Sequence, residues 1–322
     1  MNLPWLSAAQ DRLARAAEAG RLPAALLLHD SPGAGGIFLA RAFARHILCE
    51  HSPRACGQCR SCQQVESGEH PDLSLVVPDP ELKSGQLTVD QVRAVSAWLA
   101  LSSHQGRGSC VVFNPADSLN RNACNALLKT LEEPRPGAYL VLLTRQPSRL
   151  PATVRSRCQV LRLAAPDRAT ALAFLDTQSP GHKADWEAAL DVLGPAPLEA
   201  LDADRGHLKA IRDETRELLR EAGGGRLDIV RRAEQWARDD LPLRLRALEQ
   251  ALTSRVLADK GAEVSNVPLS EAVGALKIAT ALGLLDDVRE LQRLLATPVN
   301  RPLALEGALW RLNAAVAADA AT

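Results

Sequence analysis

Four of the seven cysteines lie close together in the sequence, at a C-x6-C-x2-C-x2-C spacing. Disulfides are rare in the reducing cytosol, so this spacing favours another role for the thiols. Four thiolates this close suit a closed, tetrahedral site for a structural Zn²⁺ ion. They would also suit an iron–sulfur cluster or a redox-sensitive cluster. We predict a structural zinc site whose ligands are Cys49, Cys56, Cys59 and Cys62.

A glycine-rich turn follows the first predicted strand and precedes a predicted helix. Residues 30–37 stand where a phosphate-binding loop would read G-x-x-x-x-G-K-[ST]. Asp30 replaces the first glycine, Gly36 replaces the lysine and Ile37 replaces the hydroxyl residue. The lysine and the hydroxyl are the groups that hold the terminal phosphates and Mg²⁺, and Asp30 would repel a phosphate. We therefore predict a degenerate loop that binds no ATP, or a plain strand-to-helix turn. The glycines that it retains are Gly33, Gly35 and Gly36.

A second ATPase motif is also missing. In an ATPase of this architecture a strand ends in an acidic pair that holds Mg²⁺ and orients the attacking water. Here Asn114 and Pro115 follow the apolar run 110–113, and Asp117 lies too far along the chain. The loss of both motifs predicts an ATPase fold without ATPase activity. The alternative is an autonomous P-loop ATPase with unusual motifs.

Short apolar runs separated by helical patterns predict a parallel α/β sheet in the first half of the chain. The predicted strands are 24–29, 73–77, 110–113, 139–144 and 160–163. After Pro166 the strand signals end, and helices with one apolar face follow. The predicted domains are an α/β domain at 1–165 with the cysteine insert at 49–62, a small helical domain at 166–206 and a helical domain at 207–322.

The composition excludes several classes of protein. There are 38 basic and 38 acidic residues, and 46% of the residues are hydrophobic, which is ordinary for a globular chain. The zero net charge argues against a protein that coats nucleic acid by electrostatics alone. A stand-alone zinc module for nucleic acid is a further alternative, but only Arg54 and Arg60 are basic near the cysteines. No apolar run approaches the ~18 residues of a membrane span, and the first residues do not resemble a secretory signal. We expect a cytoplasmic protein.

Four stretches together resemble the AAA+ clamp-loader family, and specifically its bacterial DNA polymerase III delta-prime branch. They are the loop at 29–36, the cysteine insert with 68–72, and the segments 125–134 and 150–158. The motifs cover about residues 4–165. The resemblance implies an AAA+ α/β domain, a small helical lid domain and a helical collar domain for oligomerisation. It also implies a hetero-pentamer with the delta subunit and three tau or gamma ATPase subunits. That complex loads the sliding clamp onto primed DNA.

The resemblance implies that this chain does not hydrolyse ATP, although it is a subunit of a DNA polymerase (nucleotidyltransferase) holoenzyme. In this family a Ser-Arg-Cys motif supplies an arginine finger to the neighbouring ATPase, and Arg157 holds that position here. Its guanidinium would stabilise charge on the γ-phosphate in the transition state. Arg155 is the alternative. Thr144 stands where the family's sensor residue ends a strand, and we expect a structural role for it. The residues expected on a solvated or interfacial face are Lys129, Glu132 and Glu133.

Overall fold

The computed structural model describes residues 3–51, 53–82, 84–101, 103–258, 276–295, 297 and 299–320. In the predicted helical domain, the residues 259–275, 296, 298, 321 and 322 therefore lie outside the described residues. The chain divides into two compact units, the first ending at Pro166 and the second beginning at Asp167. Within the part of the chain that the structure describes, every helix is too short or too polar to cross a membrane.

The first unit is built on a parallel sheet with the strand order β2-β3-β4-β1-β5. Its strands are β1 (Ala25–His29), β2 (Leu73–Val76), β3 (Ser109–Phe113), β4 (Ala138–Thr144) and β5 (Gln159–Arg162). The central strands β1, β3 and β4 are almost wholly buried, which explains their continuous apolar sequences. The predicted parallel α/β sheet is confirmed, and each predicted strand end agrees within one residue.

Helices connect these strands and cover the sheet. They are α1 (Ser7–Glu18), α2 (Gly36–Leu48), α3 (Arg60–Ser67), α4 (Val89–Ala100), α5 (Arg121–Glu132) and α6 (Ala152–Arg155). The starts of α4 and α5 are set by side chains that cap free backbone N–H groups. Thr88 and Gln91 form a reciprocal capping box, and the Asn120 side chain accepts a hydrogen bond from the Ala123 N–H. One apolar core joins the sheet to α4 and α5.

The second unit is helical throughout its described residues. Its helices are α7 (Arg168–Gln178), α8 (Lys183–Leu193), α9 (Pro197–Asp202), α10 (Arg205–Gly223), α11 (Ile229–Arg238), α12 (Leu241–Ala258), α13 (Ile278–Leu294) and α14 (Arg301–Ala320). Helix α8 packs against both α10 and α12. The core of the last five helices surrounds Trp236, which is fully buried. A boundary between lid and collar at residue 206 stays a prediction.

Candidate functional site

The loop between β1 and α2 is a tight turn that depends on two glycines. Gly33 and Gly35 adopt φ angles of 68° and 88°, a left-handed region that glycine enters without steric cost. The Trp5 indole N–H donates to the Ala34 carbonyl at 2.7 Å and so fixes the loop from the outside. Gly33, Gly35 and Gly36 thus lie in the turn between β1 and α2, and their assignment to a degenerate phosphate loop stays a prediction.

The Asp30 carboxylate fills the inside of this turn. The Gly36 N–H, at the start of α2, donates to Asp30 Oδ2 at 3.1 Å. Burial raises the pKa of Asp30, and the hydrogen bond from Gly36 opposes that rise. The second oxygen, Oδ1, is buried and has no hydrogen-bond partner among the described residues. Backbone N–H groups at such a helix start are the groups that receive a phosphate in an active loop. Here the chain's own carboxylate accepts the hydrogen bond of one such N–H group.

The position of the absent lysine is closed by packing. A Cβ atom built on Gly36 would lie 2.7 Å from Asp30 Cγ and would also clash with the Leu143 side chain. Real Cβ atoms essentially never come so close to another heavy atom. A side chain at position 36 would therefore require Asp30 and Leu143 to shift.

The carboxylate of Asp117 binds the end of β4. The Thr144 hydroxyl donates to Asp117 Oδ1 at 2.6 Å, and the Arg145 N–H donates to the same oxygen at 3.1 Å. Thr144 is fully buried. These bonds join the turn after β3 to the end of β4. Thr144 thus makes a structural contact at the strand end where the resemblance places the sensor residue.

Arg157 lies between α6 and β5, with its guanidinium at the surface. Its Nη2 lies 2.5 Å from Glu132 Oε1, and its Nη1 donates to the Thr153 carbonyl at 2.8 Å. The flanking residues Val154 and Cys158 are buried in the core of the unit. The backbone is therefore anchored by its neighbours, while 34% of the Arg157 side chain remains exposed.

The other polar residues singled out in this region are exposed. Arg155 ends α6, and Lys129 and Glu133 lie at the end of α5, all at the surface. Exposure alone does not separate Arg155 from Arg157. The ion pair to Glu132 is the feature that singles out Arg157.

The cysteine insert brings three of its four predicted thiol ligands together between α2 and α3, and His51 rather than Cys62 completes the group. Ligand atoms of Cys49, His51, Cys56 and Cys59 all lie within 4.8 Å of one another. The sulfurs of Cys49 and Cys59 are 3.9 Å apart. Two sulfurs bound tetrahedrally at ~2.3 Å from Zn²⁺ would be about 3.8 Å apart, which matches this spacing. Cys62 is buried, and its thiol interacts with those of Cys49 and Cys59.

Backbone N–H groups donate hydrogen bonds to these sulfurs, and such bonds stabilise the thiolate form. Cys49 Sγ accepts from the N–H groups of His51 and Cys56 at 3.3 and 3.4 Å, and Cys56 Sγ accepts from that of Cys59 at 3.3 Å. The N–H groups of Gln58 and Cys59 help lower the pKa of Cys56 to about 6. Metal binding needs deprotonated thiols, and the lowered pKa of Cys56 favours that form. Burial opposes it at two other thiols, because it raises the pKa of Cys49 and raises that of Cys62 to about 12. When bound, zinc would supply a structural cross-link between α2 and α3.

A buried polar network fastens the insert to the sheet. The Ser61 hydroxyl donates to the Leu48 carbonyl at 2.5 Å and lies 2.6 Å from His70 Nε2. The Asp72 N–H donates to His70 Nδ1 at 3.0 Å, so Nε2 carries the proton of a neutral ring. Burial lowers the pKa of His70, in agreement with the neutral form. The segment 68–72 therefore connects α3 to the start of β2.

Comparison with known proteins identifies the family. A family model described as "DNA polymerase III, delta subunit" matches residues 5–167. The DNA polymerase III subunit delta' of Escherichia coli K12 is 32% identical over 322 residues, covering 96% of this chain and 95% of that protein. The chain belongs to the DNA polymerase III delta-prime subunit family. The delta' subunit of Yersinia pestis is 35% identical over 266 residues, which cover 80% of this chain and 77% of that protein.

Membership of this family confirms the resemblance to the delta-prime branch that the motifs indicated. The structure confirms the predicted fold class. The parallel sheet with a helical C-terminal part is the AAA+ arrangement that the motifs implied. The DNA polymerase III subunit tau/gamma of Haemophilus influenzae is also similar, with 33% identity over 157 residues. That match covers 48% of this chain and 22% of the tau/gamma protein. The delta-prime family is therefore related in sequence to named subunits of the same polymerase.

Two residues of the site were not assigned a role from the sequence. His51 brings an imidazole nitrogen into the thiol cluster, although the four cysteines were sufficient for a site. Glu132 pairs with Arg157 across 25 residues of sequence, and no spacing rule links two such positions. The motif position of Glu132 near the end of α5 was the only signal that could have drawn attention to it.

Proposed function

We propose that this chain is the non-hydrolysing delta-prime subunit of a DNA polymerase III clamp loader. It assembles with delta and tau or gamma subunits in a hetero-pentamer that loads the sliding clamp onto primed DNA in the cytoplasm. It donates Arg157 to the ATPase site of a neighbouring subunit. A collar formed by residues 207–322 mediates the assembly, and a structural zinc ion stabilises the insert at 49–62.

The observation that carries this proposal is the filled phosphate loop. Asp30 holds the N–H of Gly36 that would bind a phosphate, and packing closes the lysine position. A nucleotide would have to displace a buried carboxylate and would find no lysine or metal ligand in return. The alternative, an autonomous P-loop ATPase, requires both the lysine and the metal ligand. A role in trans requires neither, because the chemistry then takes place in the neighbour's loop.

The geometry of Arg157 supports the trans role. A finger must reach outward from a fixed backbone, and here buried neighbours fix the backbone while the guanidinium stays at the surface. Arginine suits this task because its planar fork stays charged and matches phosphate oxygens. In the transition state of phosphoryl transfer such a group stabilises charge on the equatorial oxygens.

The test is hydrolysis by the assembled complex with Arg157→Ala. We expect the cognate subunits to assemble as with the wild type, and DNA-stimulated ATP hydrolysis to fall by at least about one third, since one of three ATPase sites would lose its finger. Steady-state ATPase assays and size-exclusion chromatography measure the two quantities.

Arg155→Ala is the matched control, because Arg155 is an exposed arginine two residues away. We expect it to leave hydrolysis unchanged. An unchanged rate in Arg157→Ala, with assembly intact, would contradict the finger role. A loss in Arg155→Ala alone would transfer that role to Arg155.

A further inference from the structure

The end of helix α5 carries a carboxylate that touches the guanidinium of Arg157. Glu132 is the last residue of α5, and its Oε1 lies 2.5 Å from Arg157 Nη2. A carboxylate at a helix C-terminus is unfavourable, because that end carries the negative pole of the helix dipole. The guanidinium compensates for this charge. The pair is nevertheless half-exposed, with 34% of the Arg157 side chain and 48% of the Glu132 side chain accessible.

An ion pair this exposed contributes little to the stability of a fold. Its effect on the conformation of Arg157 is larger, because a free arginine side chain samples many rotamers. Glu132 holds Nη2 and the Thr153 carbonyl holds Nη1, so two contacts fix the plane of the guanidinium. Among the described residues, these contacts use two of the five N–H donors of Arg157. The other three remain for a phosphate.

We infer that Glu132 is a positioning residue for Arg157, an inference that rests on the proposed finger role. Glu132 orients the guanidinium before the neighbouring subunit binds ATP and keeps it oriented while the outer N–H donors contact the phosphate. Catalysis depends on such preorganisation, because a group placed in advance pays no entropy of ordering in the transition state. Glu132 itself touches neither ATP nor the reacting atoms.

The test is a double-mutant cycle in the assembled complex, with Glu132→Gln, Arg157→Ala and the double variant. Gln keeps the shape of the side chain but removes the charge that holds Nη2. We expect Glu132→Gln to lower the kcat at the adjacent ATPase site roughly two-fold, with the KM for ATP unchanged. In the Arg157→Ala background the same substitution should have no further effect, because its whole influence passes through Arg157.

Glu133→Gln is the matched control, because Glu133 is the next residue along, is exposed and carries the same charge. We expect it to leave kcat and KM at the wild-type values. Glu132→Asp, which keeps the charge, should recover part of the loss. Thermal unfolding of each variant checks that the fold is retained.

The outcomes separate this inference from the proposed function. If Arg157→Ala leaves hydrolysis unchanged, the finger role fails. If Arg157→Ala lowers it but Glu132→Gln does not, Arg157 acts without Glu132 and the positioning role is overturned. A loss from Glu132→Gln that persists in the Arg157→Ala background would also overturn the positioning role. A higher rate of hydrolysis in Glu132→Gln would overturn it as well, because it would show that Glu132 restrains the finger.

Discussion

At the scale of single residues, the contact between Asp30 and Gly36 can be tested by adding one methyl group. Gly36→Ala would place a Cβ 2.7 Å from Asp30 Cγ and against Leu143. Overpacking of this kind costs about 1–3 kcal/mol, because the surrounding side chains must shift. We expect the free energy of unfolding to fall by that amount in urea denaturation followed by circular dichroism.

Gly283→Ala provides the matched control for this substitution. Gly283 lies inside α13, and a Cβ built there would meet nothing within 4 Å among the described residues. Alanine is a better helix former than glycine, so this variant should gain about 0.5–1 kcal/mol. A Gly36→Ala protein as stable as the wild type would show that the loop has room, and that a side chain could occupy the lysine position.

The sequence predicted which residues matter in this loop but not how they are arranged. The replaced lysine and hydroxyl were visible from the motif alone, because the motif is local. That Asp30 would turn inward and accept the Gly36 N–H was not predictable. It depends on contacts made only in the folded chain, such as the hydrogen bond from the Asp30 N–H to the Thr144 carbonyl of β4. The ion pair between Glu132 and Arg157 was not predictable for the same reason, because the two residues meet only in the folded chain.

At the scale of elements, the cysteine insert gives a prediction about its metal. We expect one zinc ion per chain by elemental analysis under reducing conditions, and loss of that zinc in Cys59→Ser. A bound metal would cross-link the end of α2 to the start of α3, and structural zinc sites contribute directly to folding energy. Loss of zinc should therefore lower the Tm by about 5 °C or more. Cys110→Ala, in β3 and outside the cluster, should retain the zinc.

A second pair of variants decides the fourth ligand. Cys62 is buried, whereas His51 is exposed. We expect Cys62 to be the fourth ligand, because four thiolates complete a closed tetrahedral set. His51 is the competing ligand, because its ring, and not the Cys62 thiol, belongs to the group of ligand atoms that lie within 4.8 Å of one another. Cys62→Ala should then lose zinc, and His51→Ala should retain it. The reverse pattern would give the fourth position to His51, and zinc-free wild-type protein would contradict the site altogether.

The elements themselves were easier to predict than the site. The strands of the first unit are buried on both faces, so their sequences are short apolar runs with clear ends, as in 139–144. The ends of helices are harder to predict from the sequence where polar residues extend a helix. The polar stretch after α7 is an example, because α7 continues to Gln178 and α8 begins at Lys183.

At the scale of the whole molecule, the zero net charge fits the proposed role. A subunit that works mainly against other proteins needs no overall basic excess. In the proposed role it needs one positive charge at a defined place, which Arg157 would supply. The sequence predicted three domains, whereas the structure divides into two compact units.

Cutting the chain at two positions tests this division. We expect 1–166 and 167–322, expressed separately, each to unfold cooperatively, because the core around the sheet lies within the first unit and the core around Trp236 lies within the second.

A cut after residue 206 should instead yield an unfolded or aggregating C-terminal fragment. Arg246 on α12 binds Glu199 at 2.7 Å and the Leu193 carbonyl at 2.6 Å, and both partners would be lost. Removing the partners of a charged group costs about 1.5–3 kcal/mol per bond, and the face of α12 that packs on α8 would be exposed. Circular dichroism melts and size-exclusion chromatography measure the result. Cooperative unfolding of 207–322 alone would instead establish the collar as a domain separate from the lid.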